Sequence, residues 1–280
     1  MATLIDYRGL QVVDPDPTGA GGLAIQNDLK ELADRLAASQ YIAGLRLSFV
    51  SVSSVRVEVG AAIDSGGSFN IALSSPATID ITVSGANGLD TGTEAADTWY
   101  AVFVIGDSSG SNPPAGLLST SAGSPTLPSG YDKFRRVGWV RNNASSNFLK
   151  FYQRWTGKTR RYWYDADASA VRVVNNGSAT AFQNVSCSAF VPPSSENIVL
   201  QIQFKTGTVG LADDRVRLRP TGAAAGTLYQ MRIGVVSDVM LMTNVEMPCD
   251  TSQSIDYRVT TGGANGNRTD IVIQGFDDEL

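Results

Sequence analysis

Trp99-Tyr100-Ala101-Val102-Phe103-Val104-Ile105 is the strongest structural signal in this chain of 280 residues. Every residue of the run is apolar, and all except Ala101 are β-branched or aromatic, the types that favour strands. Because no polar residue interrupts the run, both faces of such a strand must be covered by protein. The sequence therefore predicts a central, buried β-strand over residues 99–105.

Further strand-like segments lie on both sides of this run. The alternating apolar residues before it, predicted to be buried, are Val50, Val52, Val55, Val57, Val59, Ile79, Ile81 and Val83. The predicted strands after it cover residues 137–140, 147–153, 185–191, 198–204, 216–219, 229–237, 255–260 and 271–276. Residues 106–131, rich in Ser, Gly and Pro, are predicted to form a long loop, and residues 277–280 an acidic tip.

These segments predict an all-β fold. An N-terminal extended arm and a short α-helix would precede two antiparallel β-sandwich domains of jelly-roll type. The predicted boundaries are 1–43 for the arm and helix, 44–155 for the first β domain and 156–280 for the second. Cys187 and Cys249 are predicted to be small core residues, and a disulfide between them stays open.

The predicted helix spans residues 24–40 and has one apolar face. Its apolar residues recur at steps of four and three, the spacing of a short coiled coil or an amphipathic helix. The stripe consists of Ile25, Leu29, Leu32 and Leu36. A helix this short is marginal alone in water, so the stripe must pack on its own β domain or on the same stripe of sister chains. The extended segment Asp14-Pro15-Asp16-Pro17 before it offers little cover and favours self-association.

Charge and composition exclude several functions. The formal net charge is −5, and no segment is dominated by Lys and Arg, so nucleic acid is not an expected partner. No apolar stretch is long enough to span a membrane, and no secretion signal is recognisable. Histidine is absent, which removes Ser-His-Asp and Cys-His catalysis and histidine-dependent zinc sites. We expect neither an enzyme nor a bound cofactor.

Acidic pairs leave one catalytic hypothesis open, because a glycosidase needs only two carboxylates beside the sugar bond. The candidate groups are Asp165 with Asp167, Asp213 with Asp214, and Asp277 with Asp278 and Glu279. Each lies in a predicted turn or terminus, where solvated carboxylates with ordinary pKa values are expected. A calcium ion at Asp213 and Asp214 would lack an ordered ligand spacing.

Aromatic residues at 162–164 are the candidate surface-binding residues. Strand alternation places Tyr162 and Tyr164 on one face and Trp163 on the other, which would leave at least one ring for a sugar or a protein partner. The alternative is that all three rings pack between the two β domains.

Several motifs resemble those of tailed-bacteriophage fibre and appendage proteins. They are Tyr7-Arg8-Gly9-Leu10, residues 17–23, Gly88-Leu89-Asp90-Thr91-Gly92, residues 98–105, Leu127-Pro128-Ser129-Gly130-Tyr131, residues 135–140, residues 189–193, Ile255-Asp256-Tyr257 and Gly275-Phe276-Asp277. The likeness covers the first half of the chain best. It supplies no catalytic residue.

The resemblance implies a structural virion protein, assembled in the host cytoplasm as a homotrimer. Its N-terminus would bind other virion proteins of the tail, an adaptor or the capsid. The implied anchor residues are Tyr7, Leu10, Pro15, Pro17, Gly21 and Gly22. The β domains would bind a bacterial surface glycan or protein. A capsid-attached head fibre or decoration protein and a polysaccharide depolymerase remain the alternatives to a tail fibre.

Overall fold

The computed structural model describes residues 4–7, 10–13, 41–156, 159–207, 214–223, 229–232, 238–249, 251–260 and 266–280. These residues form strands and turns, with no α-helix among them, which confirms the all-β prediction. The predicted helix at 24–40 lies outside the described residues. The strands are β1 (Leu4–Tyr7), β2 (Leu10–Val13), β3 (Ile42–Gly44), β4 (Leu47–Phe49), β5 (Ser54–Val57), β6 (Gly60–Ile63), β7 (Asn70–Leu73), β8 (Ala77–Asp80), β9 (Gly88–Leu89), β10 (Trp99–Gly106), β11 (Ala115–Ser119), β12 (Lys133–Arg141), β13 (Phe151–Thr156), β14 (Thr159–Tyr164), β15 (Arg172–Gly177), β16 (Gln183–Ser186), β17 (Ser195–Lys205), β18 (Arg215–Pro220), β19 (Tyr229–Arg232), β20 (Met240–Pro248), β21 (Ser254–Thr260) and β22 (Arg268–Glu279).

The predicted central strand is correct. β10 lies between β11 and β12 in a sheet of order β12-β10-β11-β9, and its residues from Tyr100 to Gly106 are all buried. A β-bulge in the pairing with β12 falls between Val102 and Phe103. β11 lies inside the segment 106–131 that was predicted to be a loop. That prediction is therefore wrong for the five residues of β11. Its Ala-Gly-Leu-Leu-Ser sequence has low intrinsic strand preference, and pairing with β10 overrides it.

Two three-stranded antiparallel sheets, β3-β6-β7 and β4-β5-β8, complete the first half. The predicted burial holds for Val55, Val57, Ile79 and Ile81. It is wrong for Val50, Val52, Val59 and Val83, which are all at least 42% exposed. These valines lie in the connections that follow strands, where the side chains no longer face the core.

The second half contains a six-stranded sheet and a four-stranded sheet. The first has the order β13-β14-β22-β17-β20, with β15 also pairing with β22, and the second has the order β16-β21-β18-β19. Their inner faces contribute to one hydrophobic core, with Phe204 and Ile273 from the first sheet and Leu218 and Val259 from the second. The edge strand β20 was not among the predicted strands.

The described strands cross both predicted domain boundaries. β3 begins at Ile42, before the boundary at 43/44, and pairs with β6. The hairpin β13–β14 spans the boundary at 155/156 and belongs to the six-stranded sheet of the second half. A single core cluster includes Val57 and Ile79 from the first half together with Ile198 and Ile271 from the second. The two halves therefore share buried apolar surface.

Two further expectations concern chain ends and cysteines. The predicted extended arm contains a hairpin, because β1 pairs antiparallel with β2. The predicted acidic tip is wrong, because β22 continues to Glu279 and buries Asp277 and Asp278. The thiols of Cys187 and Cys249 are not joined by a disulfide. Cys187 is buried, as predicted, and burial raises the pKa of its thiol to about 12.

Candidate surface-binding site

The hairpin β13–β14 controls which aromatic rings reach solvent. Along β14, Tyr162 lies in the core and Tyr164 packs against it, so strand alternation directs Trp163 to the outer face of the six-stranded sheet. On β13, Phe151 is buried and Tyr152 therefore faces outward. The prediction that Tyr162 and Tyr164 share one face is in line with this arrangement.

Tyr162 is a packing residue, with 1% of its surface exposed. Its ring stacks on Phe276 with 4.5 Å between centroids, and its hydroxyl accepts a hydrogen bond of 3.0 Å from the backbone N–H of Trp139. Burial raises the pKa of the phenol well above its usual value. The buried ring cannot contact a ligand at the surface, so the packing alternative describes this residue.

Tyr164 is also committed to an internal contact. Its hydroxyl donates a hydrogen bond of 2.6 Å to the carbonyl oxygen of Phe190, and its ring is half-buried beside Phe276. Desolvation raises the pKa of the phenol well above the usual range. Of the three predicted binding residues, Trp163 is the one whose ring lies on the outer face.

Tyr152 and Trp163 form a cross-strand aromatic pair on that face. They are directly opposite each other in the register of β13 and β14, and 59% of the Tyr152 surface is exposed. On the other side of Trp163 the register partner is Gly275, which has no side chain to cover the indole. The pair is therefore an aromatic surface held on two hydrogen-bonded strands, with few rotamers to lose on binding.

A double ion pair lies beside Trp163. The Arg161 guanidinium donates to both carboxylate oxygens of Asp277, at 2.8 and 2.7 Å, and to both of Glu246, at 2.7 and 3.0 Å. These bonds raise the pKa of Arg161 further above its usual value. The guanidinium carbon is also 5.9 Å from the centre of the Trp163 ring. The Glu246 carboxylate is half-exposed, so it can accept hydrogen bonds from sugar hydroxyls.

A second polar group lies beside Tyr152. The Tyr152 hydroxyl donates to Asp165 at 3.1 Å, and the Lys150 ammonium lies 2.5 Å from the same carboxylate oxygen. The hydrogen bonds from Lys150 and Tyr152 lower the pKa of Asp165. The two aromatic rings are thus flanked by charged donors and acceptors on both sides. We call Lys150, Tyr152, Arg161, Trp163, Asp165 and Glu246 the aromatic face.

Asp165, Asp167, Asp277 and Asp278, among the carboxylates proposed as catalytic candidates, have partners within the protein. Asp278 is fully buried between the two halves, where it binds Arg136 at 2.7 Å and accepts a hydrogen bond of 2.6 Å from the Ser194 hydroxyl. Desolvation raises the pKa of Asp278, and Arg136 lowers it in part. The expectation of a solvated acid was wrong here, because β22 carries Asp278 into the interior. The burial of Asp277 and the lowered pKa of Asp165 suit ion-pair partners better than a general acid.

Some of the remaining predicted site residues lie within the described part of the chain, and the others lie outside it. Tyr7 and Leu10 are register partners in the N-terminal hairpin. The other anchor residues Pro15, Pro17, Gly21 and Gly22, the stripe Ile25, Leu29, Leu32 and Leu36, and Asp213 lie outside the described residues. Asp214 is buried. Within the described ranges, no group of three or more Cys, Asp or Glu side chains could hold a metal ion, and no helix is long and apolar enough to cross a membrane.

Tyr152 is the site residue that sequence reasoning missed. The signal was present, since Tyr152 follows Phe151 in a strand and one of two adjacent aromatics must face outward. Comparison with known proteins adds no assignment: no protein-family model matches the chain, and no curated protein matches it.

Proposed function

We propose that the chain is a non-enzymatic structural protein of a tailed-phage virion. In this proposal it forms a short trimeric tail fibre or similar appendage, anchored by its N-terminus, and its β-sandwich halves display a binding surface to the host cell. The sequence motifs that resemble those of fibre and appendage proteins support the virion assignment. The all-β fold supports a role in display, because paired strands hold surface side chains in fixed positions.

The observation that carries the binding role is the aromatic face. An exposed tyrosine and a tryptophan lie on neighbouring strands, with charged hydrogen-bonding groups on both sides. One side of a pyranose ring exposes mainly C–H groups, which pack on an aromatic ring, while its hydroxyls bond to nearby carboxylates and ammonium groups. The chemistry of this face therefore fits a glycan of the bacterial surface.

The first prediction tests this face directly. Replacing Tyr152 by Ala is expected to weaken binding of the purified protein to host cells by about tenfold, because one stacking ring is lost. Trp163→Ala should have an effect of similar size. Tyr41→Ala is the matched control, since Tyr41 is also about half exposed but lies outside the aromatic face. Binding is measured by fluorescence of labelled protein on cells and on an array of bacterial surface polysaccharides.

Unchanged binding by both face variants would contradict the aromatic face as the contact. The depolymerase alternative is tested with the same polysaccharides, since an enzyme would release reducing ends in proportion to time, whereas a binding protein would not. Immunogold labelling of intact particles separates a tail fibre from a head fibre or decoration protein, because the gold would lie on the tail in one case and on the capsid in the other.

A further inference from the structure

The outer face of the four-stranded sheet carries five arginines, and this sheet is not the one that carries the aromatic hairpin β13–β14. On β18, Val216 and Leu218 are fully buried in the core. Arg215, Arg217 and Arg219 alternate with them, so these three side chains lie on the opposite, outer face. Successive arginines of this strand are about 7 Å apart along its axis.

Strand pairing adds two arginines to the three of β18. Arg232 of β19 is directly opposite Arg215, and Arg258 of β21 is directly opposite Arg217. Tyr257 and Val259 on either side of Arg258, and Met231 before Arg232, contact the core, which directs Arg232 and Arg258 outward. Like charges directly opposite each other destabilise a sheet. Arg215 with Arg232 and Arg217 with Arg258 are two such pairs on one face.

Acidic groups on this face are scarce. Among the described outward-facing residues of the four strands, the one acid is Asp256, which accepts a hydrogen bond of 2.9 Å from Arg219. Arg217 donates instead to the neutral side-chain oxygen of Gln230, at 3.1 Å. Desolvation and the charges of two neighbouring arginines lower the pKa of Arg215. Among the described residues of these four strands, the outward-facing arginines therefore outnumber the acids.

Phe182 fixes part of this positive surface. Its ring lies under two guanidinium groups, 4.0 Å from the carbon of Arg219 and 4.9 Å from that of Arg258. The Nε atom of Arg258 is buried and has no hydrogen-bond partner among the described atoms. Held guanidinium groups lose little conformational freedom when they bind an oxyanion, and their planar forks match carboxylate geometry.

We propose that this arginine face, defined by Arg215, Arg217, Arg219, Arg232 and Arg258, is a second binding site that takes an acidic polysaccharide through the oxyanion groups of its sugars. A flat face with guanidinium groups repeated along a strand matches a polymer with repeated charges better than one small anion. The choice of a polysaccharide rests partly on the proposed function, since surface glycans are what such an appendage would meet.

Nucleic acid fits this face less well. The whole chain has a net charge of −5, which repels a duplex that carries one negative charge per about 1.7 Å of its axis. The aromatic ring on the face, Phe182, is covered by two guanidinium groups and is not available for stacking on bases. An acidic glycan has a lower charge density and needs no stacking.

The second prediction uses polygalacturonate as the probe. The full chain is expected to bind it, and raising the salt from about 50 to about 200 mM should weaken binding on the order of tenfold, because counterions are released. Arg217→Glu should reduce the affinity at low salt by about tenfold and lower the salt dependence. The affinity of the Arg217→Lys protein should lie between those of the parent and the Arg217→Glu protein, since lysine keeps the charge but lacks the planar guanidinium fork. Titration calorimetry measures these affinities.

Arg56→Glu is the matched control, because Arg56 is an exposed strand arginine of the first half. It should bind polygalacturonate within about twofold of the parent, because Arg56 lies on a different sheet from the arginine face. Equal affinities of the Arg217→Glu and Arg56→Glu proteins would overturn the proposal, as would tighter binding of neutral dextran or duplex DNA. The cell-binding test with Tyr152→Ala and the polygalacturonate test with Arg217→Glu use different probes and different variants, so failure of the arginine face and failure of the aromatic face are separable.

Discussion

Asp278 is a fully buried carboxylate that contacts Arg136 and Ser194. Desolvation raises the pKa of its carboxyl above the usual value of 3.8, while Arg136 and Ser194 offset part of that shift. A carboxyl with a higher pKa in the folded state binds more protons there than in the unfolded chain. Its favourable contribution is therefore complete below its unfolded pKa and is lost as the pH rises through the raised folded value.

The third prediction follows from the direction of this pH dependence. Replacing Asp278 by Asn removes the titrating group, so the free energy of unfolding of the parent protein minus that of the variant should fall as the pH rises from about 4 to about 7. Asp278→Ala should destabilise at neutral pH by about 3–5 kcal/mol, because it leaves Arg136 without its partner. Urea unfolding followed by tryptophan fluorescence measures both quantities.

Asp165→Asn provides the opposite case. Hydrogen bonds from Lys150 and Tyr152 lower the pKa of Asp165, so its contribution is present above its unfolded pKa and is lost as the pH falls through the folded value. Parallel pH profiles for the parent and Asp278→Asn proteins would show that Asp278 does not titrate in this range.

The burial of Asp278 was not predictable from an acidic C-terminal sequence, because it depends on pairing of β22 with two distant strands.

At the level of elements, a bulge in β12 shapes the contact between the two halves. Register with β10 shifts between Val102 and Phe103, where β12 pairs through Gly138 and then Arg136. A Cβ atom at Gly138 would overlap the hydroxyl oxygen of Tyr162. The glycine therefore lets β14 approach β12 closely enough for the Tyr162 hydroxyl to accept the Trp139 N–H.

The fourth prediction concerns this glycine. Gly138→Ala should destabilise the protein by about 1–3 kcal/mol, the usual cost of overpacking. Gly123→Ala should have little effect, since nothing lies within 4 Å of the added carbon there. Adding Tyr162→Phe to Gly138→Ala should recover part of the loss, because the overlapping oxygen is gone. Strictly additive effects in thermal unfolding would exclude the proposed overlap.

Some strands were easier to predict from the sequence than others, for physical reasons. β10 was predictable because its residues are strand formers buried on both faces. β20 was not, since Met240-Leu241-Met242 has weak strand preference and the strand forms by pairing with β17. The alternation of Arg215, Arg217 and Arg219 was visible in the sequence. The approach of Arg232 and Arg258 to them depends on strand pairing, which one sequence does not encode locally.

For the whole molecule, the class of fold was predictable from the sequence. Composition and strand spacing indicated an all-β chain, and the described residues confirm it. The predicted boundary at 155/156 falls within the hairpin β13–β14. Both strands of this hairpin contribute to the shared core, through Phe151 and Tyr162. The spacing of apolar residues along a chain indicates which residues are buried. Which sheet a hairpin joins depends instead on pairing with strands that are distant in sequence.

Subunit number is the whole-molecule property on which the appendage proposal depends. The fifth prediction is that the full chain forms a trimer and that a chain starting at Tyr41 is a monomer, because the leucine stripe is then missing. Starting at Tyr41 keeps β3, which pairs with β6. In the full chain, Leu29→Gln with Leu32→Gln should also abolish the trimer, while Lys30→Gln with Arg35→Gln should not. Multi-angle light scattering gives the masses: a trimeric shortened chain would move the contact into the β-sheets, and a monomeric full chain would contradict the trimer itself.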